Sequence, residues 1–296
     1  MADAIRLLDH HHGLAGDQPF FLQVSHTMAH FPISPPRNHV ARFADLAFNR
    51  QELDHAVRTK LDTCSDIVRD PEHGLRRYLA ELYGFDMLVG RVLQRVDDLG
   101  LASSTIVIIV SDHGAAPVTN FRRGPSQDQC DMMGSAGPFV GGKHDLTEGG
   151  VRVPLIVRFP GRVPAGAVNA RSTMALVDFL PTIANLTGVT PAAVPTNIDG
   201  IDRSDVLLGS EPWFRPGPLL WFQSNELSVL QGQYKLHIDI RDDPPLDQLF
   251  NVDEDPRQRN NLWSTPAFTG AWRAWCLTDG ACLLTPRATA LGCCRI

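Results

Sequence analysis

The stretch from Thr105 to Pro160 constrains this chain most. It opens with Thr105-Ile106-Val107-Ile108-Ile109-Val110, a short, unbroken run of β-branched residues. Such a run reads as a strand buried on both faces of a parallel sheet. It stops at Ser111-Asp112-His113-Gly114, so a carboxylate and an imidazole stand just past the C-terminal end of a buried strand. In open α/β sheets that edge is where ligands bind. Further on, Gly141-Gly142-Lys143-His144-Asp145-Leu146-Thr147-Glu148-Gly149-Gly150 leads into a second apolar run, Val151 to Phe159, closed by Pro160-Gly161.

Composition narrows the classes. At 296 residues the chain can bury a large core in one or two domains. Its 43% hydrophobic and 20% charged residues are ordinary for a soluble globular protein. A net charge of -6 leaves no electrostatic footprint for a nucleic-acid partner, and no apolar run reaches membrane-spanning length. Six cysteines are too few for a disulfide scaffold, and Cys276, Cys282, Cys293 and Cys294 crowd the last stretch. Met1 to His10 is polar and amphipathic, without the apolar core of a secretory signal.

Taken together, Ser111-Asp112-His113-Gly114, Gly137-Pro138-Phe139-Val140-Gly141-Gly142-Lys143 and the run from Glu148 to Gly161 resemble the sulfatase family of the alkaline phosphatase superfamily. Arylsulfatases and the sulfatases of glycosaminoglycan breakdown are the nearest in pattern. The resemblance extends roughly from Pro19 to Leu262. It implies an α/β fold whose mostly parallel central sheet, flanked by helices, occupies residues 1–209 and is incomplete at the N-terminus. A small antiparallel subdomain is expected over 210–262, and residues 263–296 match nothing. The implied reaction is hydrolysis of a sulfate ester on a small molecule or glycan, assisted by a divalent metal. Members of the family act in lysosomes, outside the cell or in the periplasm. The missing leader therefore points to a chain that lacks its beginning rather than to a cytosolic relative, and leaves the compartment open.

The resemblance also assigns roles to particular residues. Asp112 and His113 match the ligands of a divalent cation, Ca²⁺ first, with the imidazole leaving room for Mg²⁺, Mn²⁺ or Zn²⁺. Read alone, the pair can as well be a turn cap and its hydrogen-bond partner. Lys143 matches a sulfate-binding lysine, the alternative being a solvated side chain in a loop. His30, in Ser25-His26-Thr27-Met28-Ala29-His30-Phe31-Pro32 after a strand expected over Pro19–Val24, matches a sulfate-contacting histidine, the alternative being a structural loop residue. Glu148 and Arg152 are expected to hold loop and strand by hydrogen bonds. The family's nucleophile is a formylglycine made from Cys or Ser in Cys/Ser-x-Pro-Ser/Ala-Arg, and that segment is absent. Cys282-Leu283-Leu284-Thr285-Pro286-Arg287 has its proline two positions late. The metal-binding Asp-Asp pair, the arginine and the Lys-x-His segment of the family's N-terminal half are missing too. The chain thus reads as the C-terminal two-thirds of a sulfatase, either a truncated gene product or one part of a split enzyme, with negligible activity alone and, in the second case, a separate N-terminal half as its partner. The other readings are a phosphate or phosphonate ester hydrolase of the same superfamily, and a non-catalytic scaffold.

Elsewhere the pattern is structural. Residues 3–12 read as a helix stopped by Gly13, with His10-His11-His12 as its solvated end rather than a metal site. Residues 33–70 read as loop with short helices. Asp70-Pro71-Glu72 opens a long helix, apolar at Leu75, Leu79, Leu82, Phe85, Val89, Val92, Val96 and Leu99, expected to pack on the sheet and to end at Gly100. Asp97-Asp98 reads as a solvated helix end. Residues 115–140 read as loop, with no role evident for Cys130, Met132 or Met133. Asp178 to Gly188 reads as a capped packing helix. Leu219–Phe222, Leu227–Leu230, Tyr234–Ile238 and Asp247–Phe250 are strands of an antiparallel sheet, and Asn251–Pro256 is a turn rather than an acidic metal loop.

Overall fold

The computed structural model describes residues 2–14, 18–117, 129–189, 195–209, 214–239 and 246–265. Residues 118–128 of the expected loop, and Cys276, Cys282, Cys293 and Cys294, lie outside these.

The N-terminal part is a helical layer. α1 (Ala2–Leu14) and α2 (Arg37–Ala41) precede α3 (His55–Ser65), whose N-cap Asp54 accepts from the Ala56 N–H at 2.8 Å. α4 (Pro71–Asp98) starts as its sequence dictates. The Asp70 carboxylate accepts from the His73 N–H at 3.0 Å, and Pro71 fills a first-turn position that needs no donor. Gly100, at φ +70°, lets the chain leave the helix. α4 meets α1, α2, α3 and the single turn Gln129–Asp131. Periodicity says that a stripe is buried, not against what. The sheet is reached through Asp97, whose carboxylate meets Arg158 at 2.5 Å. Val57, Leu61, Cys64, Leu75, Cys130 and Met133 form the core of this layer, so Cys130 and Met133, without a role in sequence, are core residues. Cys64 and Cys130 form a disulfide.

The α/β class stands, with one change of direction. β1 (Val107–Val110) pairs with β2 (Leu155–Arg158) antiparallel, not parallel, with Val107 opposite Arg158 and Val110 opposite Leu155. An apolar β-branched run signals two covered faces. It carries no information on which way its neighbour runs. Both strands are also less covered than expected: β1 is half-buried throughout and Ile156 is 59% exposed. Val151 belongs not to β2 but to the short helix α5 (Glu148–Val151). The strand expected over Pro19–Val24 does not form; Phe21 stands 78% exposed in unpaired backbone. A strand needs a neighbour for its N–H and C=O groups, and among the described residues this segment has none.

The C-terminal part follows its sequence closely. α6 (Phe179–Thr187) ends at Gly188, at φ +74°, and is followed by α7 (Ser204–Leu207). β3 (Leu219–Gln223), β4 (Glu226–Gln231), β5 (Tyr234–Asp239) and β6 (Leu246–Asn251) form one antiparallel sheet in chain order. Val229, Leu236 and Leu249 alternate inward and form its core. Asp178 does not cap α6 with its side chain. Its fully buried carboxylate takes Arg215 at 2.8 Å and the N–H groups of Ala175 and Ile201. In the turn after β6, Asp255 accepts from the Arg259 and Asn260 N–H groups.

Candidate functional site

Directly after β1 the chain turns on its own side chains. Ser111 Oγ donates to the His113 carbonyl at 3.0 Å, and Asp112 Oδ1 accepts from the His113 N–H at 3.0 Å. The His113 Nδ1 faces the Gly114 carbonyl at 2.9 Å, and its Nε2 lies 3.3 Å from Asp112 Oδ2. The Asp112 carboxylate is 82% exposed, so it is open to a ligand.

The glycines bring a second loop against this turn. The Gly114 N–H donates to the Gly150 carbonyl at 2.9 Å, and the Lys143 N–H to the Ala115 carbonyl at 3.0 Å. A Cβ on Gly114 would lie 1.7 Å from the Gly149 oxygen, and one on Gly142 would lie 2.2 Å from the Ala115 oxygen. Only a residue without a side chain permits that approach. Gly142 N–H in turn donates to Asp145 Oδ2 at 2.8 Å. His144, beside Lys143, holds φ +78°, a left-handed backbone that costs a non-glycine residue energy. The Lys143 ammonium takes no partner among the described residues.

The structure therefore gathers Asp112, His113 and Lys143 at one end of the β1–β2 pair. His30 sits on a separate turn that packs along α4. Its N–H donates to the Thr27 carbonyl at 3.1 Å, its Nδ1 meets the Phe31 carbonyl at 2.8 Å, and its ring stacks on Phe31. The residue before it, Ala29, is left-handed at φ +70°. None of these contacts ties His30 to Lys143 or to Asp112.

Asp112 Oδ2 and His113 Nε2 are spaced as two ligands on one cation can be, and a carboxylate with an imidazole suits a divalent ion. They fit such an ion as part of its shell. No group of three or more His, Cys, Asp or Glu side chains converges among the described residues.

Sequence reasoning missed two lysines that hold this region. Lys60, on α3, donates to the carbonyls of Ala116 (2.7 Å), Met132 (3.2 Å) and Gly134. Burial lowers its ammonium to about 8, against a smaller opposing pull from Asp54. It lines a cavity of about 260 Å³ with His55, Thr59, Ala115, Ser135 and Gly141. Lys235, on β5, is fully buried against Glu148. A lone lysine in an amphipathic pattern gives no sign that it will be buried. Glu148 and Arg152 do hold the loop as the sequence implied: Arg152 donates to Glu148 Oε2 at 3.4 Å and to the Ala170 carbonyl at 3.3 Å. Ser264-Thr265-Pro266-Ala267 also has the Ser-x-Pro-Ala spacing of a formylglycine segment, but Phe268 follows where that segment needs arginine.

No helix among the described residues is long and apolar enough to cross a membrane. Comparison with known proteins gives the architecture a context. Canine N-acetylgalactosamine-6-sulfatase is 35% identical over 162 residues, covering 54% of this chain and 28% of that protein. Mouse steryl-sulfatase is 39% identical over 173 residues, covering 58% and 23%. Canine arylsulfatase G is 29% identical over 279 residues, covering 82% and 43%. The chain thus spans less than half the length of each of these relatives. Among solved structures, one in complex with its substrate D-glucosamine-2-N,6-O-disulfate superposes with a TM-score of 0.66 at 17% identity, over 92% of this chain and 66% of that one. Phosphonate monoester hydrolase of Agrobacterium radiobacter does so at 0.60 and 18% identity, over 95% and 58%. At such identities these two speak to the fold alone. The sulfatase family model matches residues 2–189. With most of its length matched by that model, and with sulfuric ester hydrolases as its relatives, the chain belongs to the sulfatase family.

Proposed function

We propose that this chain contributes the metal-ligating and sulfate-binding part of a sulfate-ester hydrolase. The observation that carries the reading is the Lys143 N–H to Ala115 carbonyl bond at 3.0 Å. It ties the backbone of the loop that bears Lys143 to the chain just past Asp112 and His113, and the Lys143 ammonium has no partner among the described residues. A sulfate monoester asks for cationic donors around its oxygens and a route for the leaving alkoxide's proton. Lys143 would donate to a sulfuryl or bridging oxygen, and the family resemblance makes His30, on its separate turn, the candidate second donor. Asp112 and His113 would hold the cation, Ca²⁺ first and Mg²⁺ or Mn²⁺ next, which when bound offsets charge on the sulfuryl oxygens. The substrate class is a sulfated small molecule or glycan, in keeping with the names of the relatives.

The nucleophile is the missing part. No complete Cys/Ser-x-Pro-Ser/Ala-Arg segment occurs in the sequence, so we infer that the formylglycine lies outside these 296 residues. In a serine protease, losing the nucleophile costs about a millionfold and leaves roughly 10³–10⁴ over water. Negligible turnover by this chain alone follows. A phosphonate ester hydrolase is the second reading, favoured by the imidazole at His113, where an amide oxygen would suit Ca²⁺ better.

The test is titration of the purified chain with 4-nitrocatechol sulfate and with a phenyl phosphonate monoester, each with and without Ca²⁺ or Mn²⁺. The expected result is cation-dependent binding of the sulfate without turnover. Turnover by the chain alone would remove the case for an external nucleophile. Preference for the phosphonate would move the assignment to the second reading, and failure to bind either would end the site assignment.

A further inference from the structure

The loop that bears Lys143 is held from below by the C-terminal sheet. Lys235, on β5, is fully buried, and its Nζ meets Glu148 Oε1 at 2.9 Å. The Lys235 ammonium also lies 5.2 Å from the Trp221 ring centroid, on β3. Two further contacts reach the same short segment. Ser228 Oγ, on β4, donates to the Leu146 carbonyl at 3.2 Å, and the Glu148 N–H donates to Gln258 Oε1 at 2.8 Å. Three residues of the C-terminal part thus grip residues 146–148.

That segment is also the strut under both site loops. The Gly149 N–H donates to the Val140 carbonyl at 2.7 Å, and Thr147 Oγ1 to the same carbonyl at 2.8 Å. Gly150 accepts from Gly114, next to His113. Added Cβ atoms at Gly149 and Gly150 would lie 2.4 Å from the Gly141 oxygen and 2.0 Å from the Asp145 oxygen, so there is no slack between strut and loops. A buried charge pair is a poor source of net stability, because desolvating both ions offsets their attraction. Its effect is directional, since it is satisfied at one separation and costly at others.

We propose that Lys235 is a positioning residue: through Glu148 it sets the placement of the Lys143 loop against Asp112–His113. The C-terminal sheet is then a working part of the site rather than an appendage. The claim rests on the sulfate-site reading above, and it extends that reading to a residue that touches no substrate.

The experiment compares the whole chain with Lys235→Met and with the double variant E148Q/K235M. It reads amide hydrogen exchange at Gly114 and Lys143, thermal midpoint, and affinity for 4-nitrocatechol sulfate. Lys235→Met should speed exchange at both amides at least tenfold relative to α6 and weaken affinity at least tenfold. The double variant removes both charges, so its midpoint should return toward that of the parent while exchange and affinity stay impaired. Recovery of all three together would show a merely structural pair and overturn the proposal, as would unchanged exchange in Lys235→Met. If the parent chain binds no sulfate ester yet Lys235→Met still loosens Gly114 and Lys143, the site reading fails while the positioning stands.

Discussion

Cys64 and Cys130, separated by 66 positions, are joined through the centre of the helical core, linking α3 to the turn that leads into Gly134 and Ser135. The bond closes a long loop that contains the whole of α4, β1 and the Asp112–His113 turn. A cross-link acts mainly by restricting the unfolded chain, and more so for longer loops.

Removing that link by Cys64→Ala with Cys130→Ala should therefore destabilise the chain by about 4 kcal/mol. For a protein of this size this amounts to a fall in midpoint of roughly 10 °C. Calorimetry of the oxidised chain, the reduced chain and the double variant gives the value. A reduced chain that melts with the oxidised one would mean the bond is not formed in solution.

Lys60 makes stability depend on pH in the alkaline range. Burial lowers its folded-state value from 10.5 to about 8. Between those values the unfolded chain binds the extra proton, so stability should rise with pH there, by at most roughly 1.4 kcal/mol per unit, and be insensitive to this group below about 8. Urea denaturation of the parent minus Lys60→Met from pH 7 to 10.5 isolates the effect. A flat difference would show that the ammonium keeps its proton through its three carbonyl partners.

Asp178 and Arg215 form a buried ion pair. Burial pushes the Asp178 carboxyl up, but Arg215 and the N–H groups of Ile201 and Ala175 outweigh it and hold it below the usual carboxylate range. Its contribution is complete above the unfolded-state value and is lost as pH falls through the folded one. Arg215→Met should cost about 3–5 kcal/mol, because it strands a buried charge. Asp178→Asn with Arg215→Met should recover much of that in denaturant titrations.

The cation reading has its own check. Ca²⁺ or Mn²⁺ at a hundredfold excess over its dissociation constant should stabilise the parent by about 2.7 kcal/mol, an effect EDTA reverses. Asp112→Asn should abolish that gain. Lys143→Ala should keep it while weakening 4-nitrocatechol sulfate binding at least tenfold. Equal cation stabilisation of parent and Asp112→Asn would place the ion elsewhere.

Much of this architecture was legible in one dimension. The cap at Asp70, the stop at Gly100 and the four strands from Leu219 to Asn251 follow from local rules, because backbone geometry and side-chain alternation are set by neighbours in the chain. The antiparallel course of β2, the unpaired Phe21 segment and the helical neighbours of α4 were beyond such reading. Each depends on what lies opposite, and an apolar run has the same composition whatever covers it. The two buried lysines depended on tertiary structure most of all. Lys60 and Lys235 are ordinary charged residues until folding surrounds one with three carbonyls and sets the other against a carboxylate, and only contacts between segments distant in sequence can make a buried ammonium tolerable.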